Sequence, residues 1–258
     1  MWKKIVLLLP VLIFTVSCAT INHSAGGQAE KERTQAGAVA MYKQLNFSGY
    51  LWTIKETKTP VGPGPNYFSN AQDDVWVDAS GKLHLTIRKK DNKWRCTEVY
   101  NTKSLGYGKY TFYVSANFSR LDINAILGLF TWDNAKDYNH REIDIEVSRW
   151  GLISNKNTQF VVQPFTETSN MYRFDHMTDT NKAAYTFEWQ KGEVYFAAYE
   201  GHKIDEAHKV KDWLFRGPNV PPPGNEKCDL NFWLLDGKAP NDGVNVEVTI
   251  DKFEYTPL

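Results

Sequence analysis

The chain has 258 residues, and its 30 basic and 30 acidic side chains give a formal net charge of zero. A neutral chain has no long-range field to attract nucleic acid or anionic lipid, so we expect no nucleic-acid partner. Aromatic residues make up 14% of the chain, which is typical of β-rich proteins and of proteins that bind carbohydrate.

Residues 1–17 have the features of a bacterial signal peptide. Lys3 and Lys4 precede an apolar stretch of about a dozen residues, which is too short to span a bilayer. Ser17 is followed by Cys18, as in the lipobox of lipoproteins, where the cysteine is lipidated and becomes the mature N-terminus. Ordinary signal-peptidase cleavage nearby is the alternative. In both cases we expect an exported protein of the bacterial cell envelope, and lipid on Cys18 is its only expected membrane anchor.

The mature chain divides into a tether and one domain. Residues 19–44 are rich in Ala, Gly, Ser, Gln, Lys and Glu, a composition typical of a flexible tether. A short helix between 28 and 44 is an alternative within it. Residues 45–258 have the length of a single all-β domain, and we expect it to be a monomer.

Short strand-like segments recur along this domain, with turn residues between them. Residues 75–77 and 83–87 flank a turn at 78–81 and predict a hairpin. Helical periodicity is nearly absent, with one exception near 212–215. About ten strands predict a sandwich of two curved antiparallel sheets with a concave groove. Further strand patterns lie at 94–100, 109–114, 125–132, 159–162, 185–189, 193–198, 230–234 and 244–253.

The Gly-Pro-Gly-Pro run at residues 62–65 predicts a loop. Asn66 follows it directly, so the loop would bring an amide to the rim of the groove, where it could contact a sugar. Formation of a turn alone is the alternative.

Residues 142–146 read Glu-Ile-Asp-Ile-Glu. In a β-strand, Glu142, Asp144 and Glu146 would share one face while the two isoleucines enter the core. Like charges in a row raise the pKa of at least one member, and cleavage of a glycosidic bond requires paired carboxyls of unequal pKa. A solvated strand face is the alternative. On a flat strand the Cα atoms of Glu142 and Glu146 would lie about 13 Å apart, so catalysis requires a concave strand.

Tryptophans flank this acidic strand. Trp132 ends the apolar run at 125–132, and Trp150 follows Glu146 by four positions. Sugars stack their C–H faces on aromatic rings, so either ring could form part of a sugar-binding site. Either could instead belong to the core.

Cysteine and histidine spacing predicts no metal or cofactor site. In an exported domain the remaining cysteines, Cys96 and Cys228, could form a disulfide only with each other. Their distance is set by the fold, which the sequence leaves open.

With these features in order, residues 45–258 resemble glycoside hydrolase family 16, the β-jelly-roll family of lichenases, laminarinases and xyloglucan transglycosylases. The pentapeptide at 142–146 matches the family signature E-[ILV]-D-x-E. The resemblance implies that Glu142 is the nucleophile, that Glu146 is the general acid and base, and that Asp144 orients Glu142 and helps keep Glu146 protonated. It also leaves a structural calcium ion as an alternative. Supporting blocks lie in family order at 94–98 with 106–110, at 186–189 and at 231–233, and the implied sugar-binding residues are Asn66, Glu98, Trp132, Gln159, Asn231 and Trp233.

The chain also departs from the family pattern. Ala183 replaces a histidine that many lichenase-like members carry, and Ser69 and Asn70 stand where some relatives have a partner for a cysteine like Cys96. No extra residue separates Asp144 from Glu146, unlike the bulged pattern of many laminarinases and agarases. These departures leave the substrate open rather than the reaction class.

The spacing of the acids leaves retaining and inverting chemistry open. The resemblance implies a retaining hydrolase of internal β-glycosidic bonds in a polysaccharide, with β-glucan as the expected substrate. Transglycosylation at the same site and a catalytically silent sugar-binding lipoprotein are the alternatives. An envelope scaffold without saccharide affinity is a further one.

Overall fold

The computed structural model of the protein describes residues 43–258. The predicted signal peptide and the predicted lipidation of Cys18 lie outside the described residues and stay predictions. The same holds for the tether and its possible helix at 28–44, apart from residues 43 and 44, and Gln44 begins a strand. Among residues 43–258, no helix has the length and apolar character needed to cross a membrane.

The described part of the chain forms sixteen β-strands and five single-turn 3-10 helices. The strands are β1 Gln44–Phe47, β2 Tyr50–Ile54, β3 Tyr67–Phe68, β4 Val75–Val77, β5 Leu83–Lys90, β6 Lys93–Asn101, β7 Gly108–Ser115, β8 Ala125–Trp132, β9 Ile143–Val147, β10 Thr158–Val162, β11 Met171–Phe174, β12 Lys182–Gln190, β13 Glu193–Glu200, β14 Lys209–Arg216, β15 Lys227–Leu234 and β16 Val246–Pro257. The 3-10 helices are Phe118–Arg120, Asn139–Arg141, Thr168–Asn170, Glu206–His208 and Leu235–Gly237.

The strands pair into two curved antiparallel layers. The first layer has the order β11-β10-β9-β8-β15-β6 and continues through β2 to β1. The second has the order β5-β16-β7-β12-β13-β14, and the hairpin between β5 and β6 joins the two. The prediction of an all-β jelly-roll sandwich is confirmed.

The core lies between the layers, where the inward-facing side chains of both layers are apolar. In the first layer, Ile143 and Ile145 of β9 are fully buried. Phe160 of β10 packs against Phe196 of β13 in the second layer, with ring centroids 5.0 Å apart. The opposite face of the first layer is therefore free to form the groove.

Two local predictions have opposite outcomes. The hairpin is confirmed, since β4 and β5 pair antiparallel with Val77 opposite Leu83. The helical pattern at 212–215 is wrong, because these residues belong to the edge strand β14. Trp213 and Phe215 are two positions apart, which is the strand period, and their rings contact each other at 5.4 Å.

The possible disulfide between Cys96 and Cys228 is also wrong, since both side chains are free and buried. Cys228 lies opposite Thr131, whereas Cys96 lies one position beyond the pair of Thr97 and Phe232. The two cysteines are thus about five positions apart along neighbouring strands, about 17 Å at 3.4 Å per residue. Because the register also gives them opposite parity, they face opposite sides of the sheet.

We expect two free thiols per molecule when residues 43–258 are denatured without reductant and titrated with a thiol reagent. The native protein should react with neither, because burial raises the pKa of Cys96 to about 12 and that of Cys228 well above its ordinary value, and only the thiolate is reactive. A denatured protein that showed no thiol would contradict this arrangement.

Candidate active site

The three predicted acids lie on one face of the first layer. Glu142 immediately precedes β9, and Asp144 and Glu146 lie within it. All three line a single cavity of about 360 Å³, a size typical of small-molecule sites. Their neighbours Ile143 and Ile145 enter the core, so the alternation places the carboxyls in the groove as the sequence predicts.

The segment before Glu142 is held in an unusual backbone conformation. Residues 138–141 all have positive φ values between 51° and 63°, a region that non-glycine residues rarely occupy. The Thr131 hydroxyl donates to the Arg141 carbonyl at 2.7 Å and accepts the Ile143 amide at 3.2 Å. Arg141 also pairs with Asp133 at 2.9 Å. These contacts fix the point at which Glu142 enters the cavity.

Glu142 and Asp144 share a hydrogen bond that requires one proton. Burial and the charge of Glu146 raise the pKa of Glu142 to about 8, and burial raises the pKa of Asp144 well above its ordinary value. Their mutual hydrogen bond lowers the pKa of Glu142 and raises that of Asp144, so Asp144 is the donor. Gln163 Nε2 donates to Asp144 Oδ2 at 3.0 Å. When Glu142 is ionised, Asp144 therefore carries the shared proton and donates its hydrogen bond to Glu142, although burial opposes that ionisation.

Glu146 has different surroundings. Burial raises its pKa, while a hydrogen bond from Gln159 and the positive charge of Arg173 oppose that rise. Gln159 Nε2 donates to Glu146 Oε2. The two glutamates therefore have separate hydrogen-bond partners, as carboxyls with unequal roles require.

A single row of residues crosses the first layer through Glu146. Gly128 lies between Asn231 and Glu146 in this row, and a Cβ atom there would lie 2.4 Å from Asn231 Oδ1. Glycine at this position keeps the floor of the cavity open. In order across the strands, the row consists of Glu98, Asn231, Gly128, Glu146, Gln159 and Arg173.

Glu98 forms a partly buried ion pair with Lys55 that sequence analysis missed. Lys55 Nζ lies 2.8 Å from Glu98 Oε1 and 2.9 Å from Oε2, and it also donates to the Gly62 carbonyl at 3.0 Å. Burial raises the pKa of Glu98, and Lys55 opposes the rise. Lys55 therefore connects the 62–65 loop to the cavity wall.

Two of the three predicted tryptophans line the cavity, and the third does not. Trp132 and Trp233 line the cavity. The Trp132 ring stacks on His140, with centroids 4.0 Å apart and planes inclined by 9°. Trp150 does not line the cavity, and its ring instead lies against the Arg173 guanidinium at 4.0 Å.

Only some of the predicted polar residues line the cavity. Glu98 and Asn231 line the cavity, whereas Gln159 lies beside Glu146 and outside the lining. Asn66 is buried and donates to the carbonyls of Pro63 and Leu234, both at 2.8 Å. In the structure, Asn66 therefore braces the loop rather than facing the groove.

Several cavity residues were missed, although some had a signal. Asp229, Asn231 and Trp233 alternate along β15, and this period of two could have predicted Asp229 as a groove residue. Burial raises the pKa of Asp229 well above its ordinary value. Phe130 had the same signal, because it lies two positions before Trp132 on β8. Lys55 had no comparable signal. Within residues 43–258, no group of three His, Cys, Asp or Glu side chains is arranged to hold a metal ion.

Comparison with solved structures shows what this fold resembles. A β-glucanase of Bacillus licheniformis is 18% identical with a TM-score of 0.57, over 83% of this chain and 95% of its own. A Bacteroides ovatus family 16 protein of a mixed-linkage glucan locus, in complex with the product G4G4G3G, is 16% identical with a TM-score of 0.60, over 80% and 94%. A Mycobacterium tuberculosis protein described as an immunostimulatory antigen and pseudo β-1,3-glucanase is 17% identical with a TM-score of 0.59, over 80% and 91%.

No protein-family model and no curated protein sequence matches the chain. The structural neighbours are family 16 β-glucanases and lichenases, as the sequence resemblance predicts. At these identities the likeness establishes the jelly-roll fold of those glucanases.

Proposed function

We propose that the protein is a retaining glycoside hydrolase that cleaves internal β-glycosidic bonds of a β-glucan. The observation that carries this proposal is the set of three acids in one cavity, with Asp144 buried, Glu142 and Glu146 half-buried, and the two glutamates on different hydrogen-bond partners. Placing carboxyl groups in a cavity without fully neutralising their charge costs free energy. A protein that only binds sugar does not need this arrangement.

In the proposed reaction, Glu142 attacks the anomeric carbon and forms a glycosyl ester, while Glu146 gives its proton to the leaving oxygen as the C–O bond breaks. Glu146, now ionised, then takes a proton from water. The resulting hydroxide displaces Glu142 and restores both carboxyls. Asp144 donates its hydrogen bond to Glu142 throughout and limits the charge in the cavity.

Two features support a glucan as the substrate. Trp132 and Trp233 line the cavity with Glu98 and Asn231, so apolar rings and polar groups are available for the faces and hydroxyls of a sugar. Structural neighbours are named as β-glucanases, and one is described with a glucan oligosaccharide product. The N-terminal sequence adds a proposed location in the cell envelope, through a lipid on Cys18.

The test is incubation of purified residues 43–258 with a panel of β-1,3, mixed β-1,3-1,4 and β-1,4 glucans and galactans, followed by analysis of the released sugars. We expect oligosaccharides of several lengths from at least one β-glucan, because internal cleavage yields mixed products. Products with retained β configuration at the new reducing end support the double displacement. Binding of glucan without any cleavage would indicate a silent binder instead.

We expect kcat/KM to follow a bell-shaped pH profile whose limbs both lie above the ordinary pKa of a glutamate. The active form requires ionised Glu142 and protonated Glu146, so activity is lost at low pH when Glu142 is protonated and at high pH when Glu146 ionises. Because the pKa of Glu142 is raised to about 8 and that of Glu146 is also raised, both apparent limbs move upward as properties of the coupled cluster. An optimum near pH 4 would contradict this.

A further inference from the structure

Arg173, Gln159 and Glu146 form a hydrogen-bonded chain across three neighbouring strands. Gln159 lies directly opposite both Glu146 and Arg173 in the strand register. Arg173 Nε and Nη2 donate to Gln159 Oε1 at 2.9 and 2.5 Å, and Gln159 Nε2 donates to Glu146 Oε2. The chain ends at the carboxyl that the proposed function makes the acid and base.

The direction of these hydrogen bonds follows from the donor and acceptor atoms available. A guanidinium has only donors, so the Gln159 oxygen must face Arg173 and its NH₂ group must face Glu146. Glu146 Oε2 is therefore an acceptor. When Glu146 is neutral, this contact favours its proton on the other oxygen, Oε1, because a carbonyl oxygen accepts better than a hydroxyl.

Arg173 is itself held in place from outside the row. Its Cζ atom lies 4.0 Å from the centroid of the Trp150 ring, and arginine stacks well on such a face. Trp150 has a φ of 43°, and its amide donates to Ser148 Oγ at 3.0 Å. Trp150 thus has a structural explanation other than the sugar contact that the sequence predicts.

We propose that Arg173 acts through Gln159 as a positioning residue for Glu146, fixing which carboxyl oxygen carries the proton delivered to the leaving sugar. The kinetic consequence of this inference rests on the proposed function. The protonation of Glu146 does not, because it can be measured without a substrate.

The charges around Glu146 determine the sign of the effect. Arg173 is the positive group on its β10 and β11 side, and on the β8 side the row continues with the uncharged Gly128. Removing Arg173 therefore raises the pKa of Glu146 further, since the carboxylate loses its neighbouring cation. The other charged groups of the cavity are Glu142 and Asp144 on the same segment, Asp229 on β15, and Glu98 on β6 with its partner Lys55.

The first experiment compares Arg173→Met with wild type on two substrates. We expect kcat/KM on an unactivated oligosaccharide to fall about 10- to 100-fold, because protonation of the leaving oxygen is impaired. On an aryl glycoside with a good leaving group the change should be within about threefold, since that group needs little protonation. The alkaline limb should move up by at least about half a pH unit. Arg216→Met, an exposed arginine paired with Glu193 on the other layer, is the matched control and should change neither.

Equal loss on both substrates with an unmoved alkaline limb would overturn the proposal and leave Arg173 a structural role only. If the methionine variant unfolds, Arg173→Lys tests the positioning role instead. Lysine keeps the positive charge, so the alkaline limb should not move, but it lacks the paired donors to Gln159. In a Gln159→Met background, Arg173→Met should change the ratio of the two rates by less than about twofold, since the effect passes through Gln159.

The second experiment measures the pKa of Glu146 by NMR with ¹³C-labelled carboxyl groups, in wild type and Arg173→Met. A rise in the variant supports the proposal even if no glycan in the panel is cleaved, in which case only the proposed function fails. An unchanged pKa overturns the inference even if the protein proves to be an active glucanase.

Discussion

Glu142→Gln should lower kcat for glucan hydrolysis by on the order of 10⁴-fold or more. Glutamine has the size of glutamate, but its amide cannot form the glycosyl ester with the anomeric carbon. Rates of sugar release at saturating substrate, measured against wild type, check this. Glu188→Gln is the matched control, because Glu188 lies on β12 of the second layer and outside the cavity lining. That control should keep full activity.

The same substitution should also stabilise the protein at high pH. The pKa of Glu142 is raised to about 8, so its ionisation is disfavoured in the folded state. The resulting loss of stability is absent below the unfolded pKa near 4.5 and grows as pH rises towards 8. Glu142→Gln removes it, with an expected gain on the order of 1–3 kcal/mol at pH 8 and little at pH 4. Equal hydrolysis by wild type and variant, or a lower unfolding midpoint at pH 8, would contradict the assignment of Glu142.

Glu146→Gln should separate substrates by their leaving groups. On β-glucan we expect kcat/KM to fall on the order of 10²- to 10⁴-fold, because the variant cannot protonate the leaving oxygen. On an aryl glycoside with a good leaving group the first step should stay within about tenfold of wild type. Since the variant also lacks the base that activates water, the glycosyl-enzyme should accumulate and give a burst of the aryl product.

The burst is measured by rapid mixing, and mass spectrometry of the trapped protein should show one added glycosyl group. Aryl glycoside and glucan activities that fall by the same factor would assign Glu146 a different role. Retention of both activities would show that Glu146 takes no part in the reaction.

Most of the strands and the orientation of the acids were accessible from local patterns, whereas β1, β2, β3 and β11 had no predicted counterpart. The alternation at residues 142–146 is a property of one strand, since successive side chains point to opposite faces whatever the strand pairs with. The apolar run at 125–132 and the hairpin of β4 and β5 have the same local basis. The weak pattern at 212–215 failed because four residues can fit two periods, and pairing with β13 decided between them.

The sequence by itself thus determined a β-rich domain in which Glu142, Asp144 and Glu146 share one face. Only the tertiary structure decided which distant residues meet them. Lys55 reaches Glu98 across 43 positions of the chain, and Arg173 reaches Gln159 across 14. Strand register also keeps Cys96 and Cys228 apart. Side-chain alternation is encoded in neighbouring residues, whereas strand register and loop closure depend on packing across the whole domain.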